Sequence, residues 1–234
     1  HSDEYREDLL GNSEAFIGAM KTHMRALHMS ALQTAMNELS NHDHSRFLTR
    51  TNHRVGRISY AGAEAASEGV NPAVMREGVA IQMTWPGAPT VYYGDEAGLC
   101  GFTDPDNRRT YPWGREDYQM IDFHRVMIRI HKQYEVLKTG SLAFLWNDYQ
   151  GLAYARFSRK EQMIVIVNNM DHAREVEVQL WQAGISRLED AKMERVVCTS
   201  AEGFTEAPEV YTAAAGILRM QMPAFGCVVL YHKN

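Results

Sequence analysis

Two hydrophobic rhythms divide these 234 residues, and together they predict an α/β segment followed by an all-β one. Up to residue 139, apolar residues recur every three or four positions in amphipathic stretches, with a short β-branched and aromatic run between two of them. That order of helix, strand and helix is the rhythm of an α/β barrel. After Gly140 the period falls to two, in brief runs parted by Asn, Asp, Gly and Pro, which predicts an antiparallel β-sandwich. The expected division is 1–139 and 140–234.

The elements follow in order. Ser13 is the expected N-cap of a first helix whose apolar face is Phe16, Met20, Met24, Leu27 and Ala31. Residues 35–40 then run into Asn41-His42-Asp43, a segment whose periodicity does not classify it. Residues 49–69, rich in Arg, Gly, Ala and Ser, lack a sustained period and read as a long loop with one short helical turn. Asn71 followed by Pro72 is an N-cap and first-turn pair, opening a helix with Val74, Met75, Val79, Gln82 and Met83 on one face and ending at Pro86-Gly87. Thr90 to Tyr93 suits a buried strand. From Asp117, the spacing of Met120, Phe123, Met127, Ile130 and Tyr134 predicts another amphipathic helix. Beyond residue 140, strands are expected at 152–157, 163–168, 173–180, 193–198, 216–222 and 227–231. Leu218, Met220 and Met222 alternating with Arg219 and Gln221 give one of them a wet face.

Composition excludes several classes. A net charge of -5 supplies no broad positive field for a nucleic acid. The longest purely apolar runs are a few residues, far short of the roughly 20 that cross a bilayer, so no membrane partner is expected. Cys100, Cys198 and Cys227 lack CxxC spacing, which argues against a zinc ribbon and a disulfide framework and favours a reducing, cytoplasmic setting. The chain opens on His1 without an initiator Met, so the lack of a signal peptide carries little weight.

Four short motifs carry chemistry: Asn41-His42-Asp43 with Arg46, Pro86-Gly87-Ala88-Pro89, Tyr92-Tyr93-Gly94-Asp95-Glu96, and Asp104-Pro105-Asp106-Asn107-Arg108-Arg109. Singly, each reads as a polar turn or a set of surface ion pairs. In this order they resemble the α-amylase family of glycoside hydrolases, in its neopullulanase, cyclomaltodextrinase and maltogenic amylase branch. The resemblance implies the C-terminal part of a (β/α)8 TIM barrel followed by an antiparallel β-sandwich domain. It also makes the segment before Asp43 a barrel strand, and the C-terminal ends of such strands face the site-building loops.

By that resemblance Asp43 is the transition-state-stabilising carboxylate. His42, Arg46, Asp104 and Arg108 are sugar contacts. A retaining glycosidase needs two carboxyl groups about 5 to 5.5 Å apart, and the resemblance puts the nucleophilic Asp and the acid Glu upstream of this sequence. Asp95 and Glu96, adjacent at a strand end, are directed apart and are expected to bond to backbone or Arg instead. Asp104 and Arg108 serve equally as a structural ion pair. Tyr111 and Trp113 could stack on sugars, but packing of the loop is the expectation for Trp113. Although His42, Asp43, His44 and His53 are metal-ligand types, consecutive residues of an extended segment diverge, so no metal is expected. No cofactor is expected in this chain; calcium is common among amylases, but no acidic loop here requires it.

The expectation is thus the C-terminal portion of a retaining α-glucan hydrolase. Its substrate would be an α-1,4 or α-1,6 glucan: a maltooligosaccharide, cyclodextrin or pullulan. A closed barrel takes about 250 residues, so the partner is the missing N-terminal barrel portion or a separate chain carrying it. Open strand edges would also favour a homo-oligomer. The competing reading is a non-catalytic amylase-like scaffold or a carbohydrate-binding domain. The 49–69 segment is longer than the resembled branch leads one to expect and would bear on glucan size, with Arg54 and Arg57 as sugar or phosphate contacts.

Overall fold

The computed structural model describes residues 3–234. The first helix, α1 (Ser13–Met24), is capped by the Asn12 side chain, which accepts from the Ala15 N–H at 2.9 Å. The cap therefore lies one residue before the Ser13 expected for it. The apolar spacing predicts continuation to Ala31, yet the helix ends at Met24 and a second, α2 (Met29–Thr34), begins after a break. Phe16, Ile17, Met20 and Met24 meet the core, whereas Leu27 is exposed. Periodicity alone cannot extend a helix past the surface that rewards it.

Two very short parallel strands follow, β1 (Met36–Asn37) and β2 (Ala88–Pro89), in register Met36 to Ala88. The expected strand at 90–93 is instead irregular chain just beyond β2. Between them lie the short turns α3 (Phe47–Arg50) and α4 (Ile58–Ala61), a single 3-10 turn at 64–66, and α5 (Pro72–Thr84). Helix α5 starts as the sequence demands: Asn71 accepts from the N–H groups of Ala73 and Val74, with Pro72 inside the first turn. Strand, helix and parallel strand make one βαβ unit. Helix α6 (Tyr118–Gln133), capped by Asp117, and α7 (Glu135–Thr139) complete the helical layer.

The second half is a sheet of seven strands facing a ribbon of two. The sheet runs β3 (Ser141–Asp148), β4 (Gly151–Phe157), β5 (Glu161–Asn168), β11 (Gly226–Lys233), β7 (Ala191–Thr199) and β8 (Phe204–Thr205), with β9 (Val210–Ala213) also on β7. The ribbon pairs β6 (Arg174–Gln179) with β10 (Ile217–Met222). Strands β3, β8 and β9 escape the sequence reading, β3 because its aromatic and polar residues leave it only half buried. The expected wet face holds: Arg219 and Gln221 are exposed while Leu218, Met220 and Met222 are buried.

Both faces of the sheet are covered. Ala153, Ala155, Ile164, Ile166, Val228 and Leu230 meet the β6–β10 ribbon. Leu152, Tyr154, Val165 and Val229 on the opposite face share a core with Met75, Val79 and Met83 of α5 and Phe123 and Met127 of α6. Residue 140 therefore marks a change of secondary structure inside a continuous hydrophobic core. Arg156 of β4 is fully buried in that core, and its guanidinium donates to the carbonyls of Thr84 at 3.0 Å, Leu137 at 2.8 Å and Gly140 at 2.9 Å. These are the carbonyls at the ends of α5 and α7, which have no intrahelical acceptor role left and carry partial negative charge. Burial lowers the Arg156 pKa to about 10.

Candidate functional site

The candidate site residues lie on the loops that leave the C-terminal ends of β1 and β2, the end of a parallel βαβ unit where barrel enzymes carry their site-building loops. Residues 42–44 bend instead of extending. Asn41 holds the bend, its Oδ1 accepting from the N–H groups of Asp43 at 2.9 Å and His44 at 3.2 Å. His42 Nε2 comes to 3.6 Å from Asp43 Oδ1, with both side chains open to solvent. The alternation argument that sends these two side chains apart fails here because the backbone is not a strand. Among the described residues, no group of three His, Cys, Asp or Glu side chains is placed to hold a metal.

The loop after β2 is tied to this bend. Asn107 donates to the carbonyls of Asn41 at 3.3 Å and His44 at 2.7 Å, and Arg108 Nε reaches the His42 carbonyl at 3.4 Å. Arg108 also pairs with Asp104 at 2.6 Å, both half exposed. Asp106 is buried and accepts from the Phe102 N–H and from Arg109, whose Nη2 goes on to the Ala63 carbonyl. Asp43, His42, Asp104 and Arg108 thus sit on two mutually bonded loops with polar atoms free for a ligand.

Arg46 requires a correction. The expected sugar contact is a side chain with no exposed surface. Its guanidinium donates to the Asn107 carbonyl at 2.8 Å, the Tyr93 carbonyl at 2.8 Å and Asp95 Oδ1 at 2.8 Å, and lies 4.4 Å from the Tyr92 ring centroid and 5.0 Å from that of Tyr93. It locks both loops together from beneath, which is a positioning role. Burial pushes the Asp95 carboxyl upward, while hydrogen bonds from Ser40 and Arg46 and the Arg46 charge pull it back. Glu96 accepts from the Gly94 N–H at 2.9 Å, so Asp95 and Glu96 shape the loop, as their adjacency implies.

Trp113 also departs from expectation: it is 80% exposed, with Tyr111 packed on it at 4.5 Å between ring centroids. Its loop does not bury it. Sequence reasoning passed over Asn107, the residue that fastens one loop to the other. Its signal was present, since Asn in a Pro-containing turn readily bonds to backbone, but nothing in the spacing names its partner.

The fold is a βαβ unit with linked loops beyond its strand ends, running into a multi-stranded antiparallel sheet. The chain belongs to the α-amylase family: the family model of the alpha amylase catalytic domain matches residues 8–186. Among curated relatives, it is 36% identical over 158 residues to an amylopullulanase from Thermoanaerobacter thermohydrosulfuricus, covering 62% of this chain and 10% of the relative. It is 31% identical over 160 residues to a cyclomaltodextrinase from Thermoanaerobacter pseudethanolicus, covering 67% and 25%. The chain therefore spans between a tenth and a quarter of these relatives' lengths. A solved α-amylase from Anoxybacillus superposes with a TM-score of 0.69 at 22% identity, covering 92% of this chain and 41% of that one, which supports the fold.

Proposed function

We propose that this chain is the substrate-gripping portion of a retaining α-glucan hydrolase that cleaves α-1,4 or α-1,6 bonds. The relatives' names, amylopullulanase and cyclomaltodextrinase among them, support maltooligosaccharides, cyclodextrins or pullulan as substrates. The observation that carries the reading is the open Asp43 carboxylate beside His42, on a bend bonded to the Asp104–Arg108 loop by Asn107 and Arg46. A carboxylate fixed there can accept from adjacent sugar hydroxyls, and such bonds strengthen as the ring approaches an oxocarbenium ion. His42 and Arg108 donate to neighbouring hydroxyls, and Asp104 orients Arg108.

Asp43 does not perform the displacement. In this reading, the nucleophilic Asp and the acid Glu come from barrel strands outside these 234 residues, on the same polypeptide or another. The outer edges of β1 and β2, which pair only with each other among the described residues, are where that partner would continue the sheet. Hydrolysis and transglycosylation share the covalent intermediate and differ in whether water or sugar intercepts it. The competing reading, a non-catalytic scaffold or binding domain, predicts no kinetic role for Asp43.

Two measurements test the hydrolase reading. The chain purified alone should release no reducing sugar from maltotriose or cyclodextrin, and clear turnover would place the nucleophile and acid within it. In the complete enzyme, Asp43→Asn should lower kcat by on the order of 10^3 with circular dichroism unchanged, in line with the loss of transition-state electrostatic stabilisation. A near-normal kcat removes Asp43 from the mechanism; a complete protein without turnover favours the scaffold.

A further inference from the structure

The long loop between α3 and α5 has a defined shape. Its ends meet where the Asn71 N–H donates to Thr51 Oγ1 at 2.7 Å. Asn52 donates to the Glu68 carbonyl at 3.1 Å, and Ala66 is wholly buried. Two further contacts moor it to the loop that carries Asp104 and Arg108. Gly56 lies against the Phe102 ring so closely that an added Cβ would stand 2.9 Å from it, and the Ala63 carbonyl accepts from Arg109 Nη2 at 2.6 Å. Arg109 is the immediate neighbour of Arg108.

Between these moorings the chain turns through α4 and presents Val55, Ile58 and Tyr60 outward, Tyr60 at 71% exposure. Scattered apolar residues on a surface are ordinary. Here three fall within six residues of one tethered turn, and the most exposed of them is a flat ring. An exposed phenol supplies an apolar face and a hydrogen-bonding edge, which match the C–H face and hydroxyl rim of a pyranose. The tether to the loop of Asp104 and Arg108 favours a sugar chain as the occupant; Arg54 is already paired with Glu68 at 2.9 Å, and Arg57, which opens α4, can donate to sugar hydroxyls.

The geometry points to Tyr60 as a glucan-binding residue that stacks on a sugar unit away from the cleavage point, with Ile58 and Val55 beside it. The 51–71 loop thereby sets a preference for longer substrates. This inference rests on the α-glucan hydrolase reading, since the loop is fastened to the proposed sugar-gripping residues. Loops of this length without regular structure are uncommon in compact domains and often functional. The rigid base decides the role, because a platform that moved independently of Arg108 would give no fixed register to a bound chain.

The test compares long and short substrates in the complete enzyme. Tyr60→Ala should raise KM for maltoheptaose about tenfold, the scale of one aromatic contact. It should leave kcat unchanged and the KM for maltotriose within about twofold; Tyr60→Trp should restore the long-substrate KM. Equal KM changes for both substrates, no change for either, or a Tyr60→Trp variant no better than Tyr60→Ala would overturn the proposal. Asp43→Asn serves as the control. If Asp43→Asn abolishes turnover while Tyr60→Ala changes nothing, only the platform fails; if the unsubstituted enzyme turns over neither substrate, the hydrolase reading fails.

Discussion

The loops around Asp43 and the sheet beyond residue 140 are held together by opposite means. The loops depend on a few polar side chains with particular partners: Arg46 on two carbonyls and Asp95, Asn107 on two carbonyls, Asn41 on two N–H groups. The sheet depends on alternation, with Ile164, Ile166 and Val228 facing one way and Val165, Val167 and Val229 the other. Many hydrophobic residues of similar volume satisfy such a pattern. Very few side chains can replace a planar fork of donors that is buried among three acceptors and stacked on two rings. The first region fixes a geometry and the second supplies stability, so single substitutions should have different signatures in each.

The largest effect is expected at Arg46. Arg46→Ala leaves the buried Asp95 carboxylate without its cation, a loss of roughly 3–5 kcal/mol for a broken buried pair. Because the cost falls on the loops, kcat/KM should collapse along with the urea midpoint. An intact kcat/KM at full stability would mean that Arg46 does not position the site. Arg156→Met is the counterpart at the seam between helices and sheet. It removes the donor for three helix-end carbonyls but also relieves a buried charge, so a net loss of about 3 kcal/mol is expected. Since it lies away from Asp43, the folded fraction should keep its kcat. A changed kcat at full folding would show that the two regions are mechanically coupled.

The same contrast explains what could be read from the sequence. Asn71-Pro72, Asp117 and the two-residue alternation of β10 act through local rules, and each appeared where its pattern placed it. Asp95 and Glu96 as loop-shaping groups were legible from adjacency alone. Arg46 was not, because charged residues are rarely buried without a partner, and its partners lie 47 to 61 positions later in the chain. Arg156 was hidden for a related reason. It shares the core-facing side of β4 with Leu152 and Tyr154, a place where alternation predicts an apolar residue, and only the assembled ends of α5 and α7 make a cation tolerable there. Leu27 erred in the opposite direction: its spacing was right for a helix, but the fold offers that turn nothing to pack against.

A finer probe of the seam is Glu77, on the side of α5 that meets the sheet. It is buried, and its Oε1 has no hydrogen-bond partner among the described residues. Burial raises its pKa well above the ordinary carboxylate value, and the neighbouring Arg76 charge only partly opposes this; Cys227 of β11, also buried, is pushed up in turn. The folded state therefore holds the Glu77 proton more tightly than the unfolded chain does. Stability from this group is fully present below the unfolded carboxylate pKa of about 4.3. It declines as pH rises from there toward the raised folded value. Glu77→Gln keeps the shape and removes the titration, so its urea midpoint should vary less between pH 5 and 8 and exceed that of the unsubstituted protein most at the upper end. Unlike Arg46→Ala, the change should leave substrate kinetics alone, because Glu77 belongs to the apolar core and not to the loops. Parallel pH profiles for the two proteins would mean that Glu77 is ionised in the fold and that a partner reaches it.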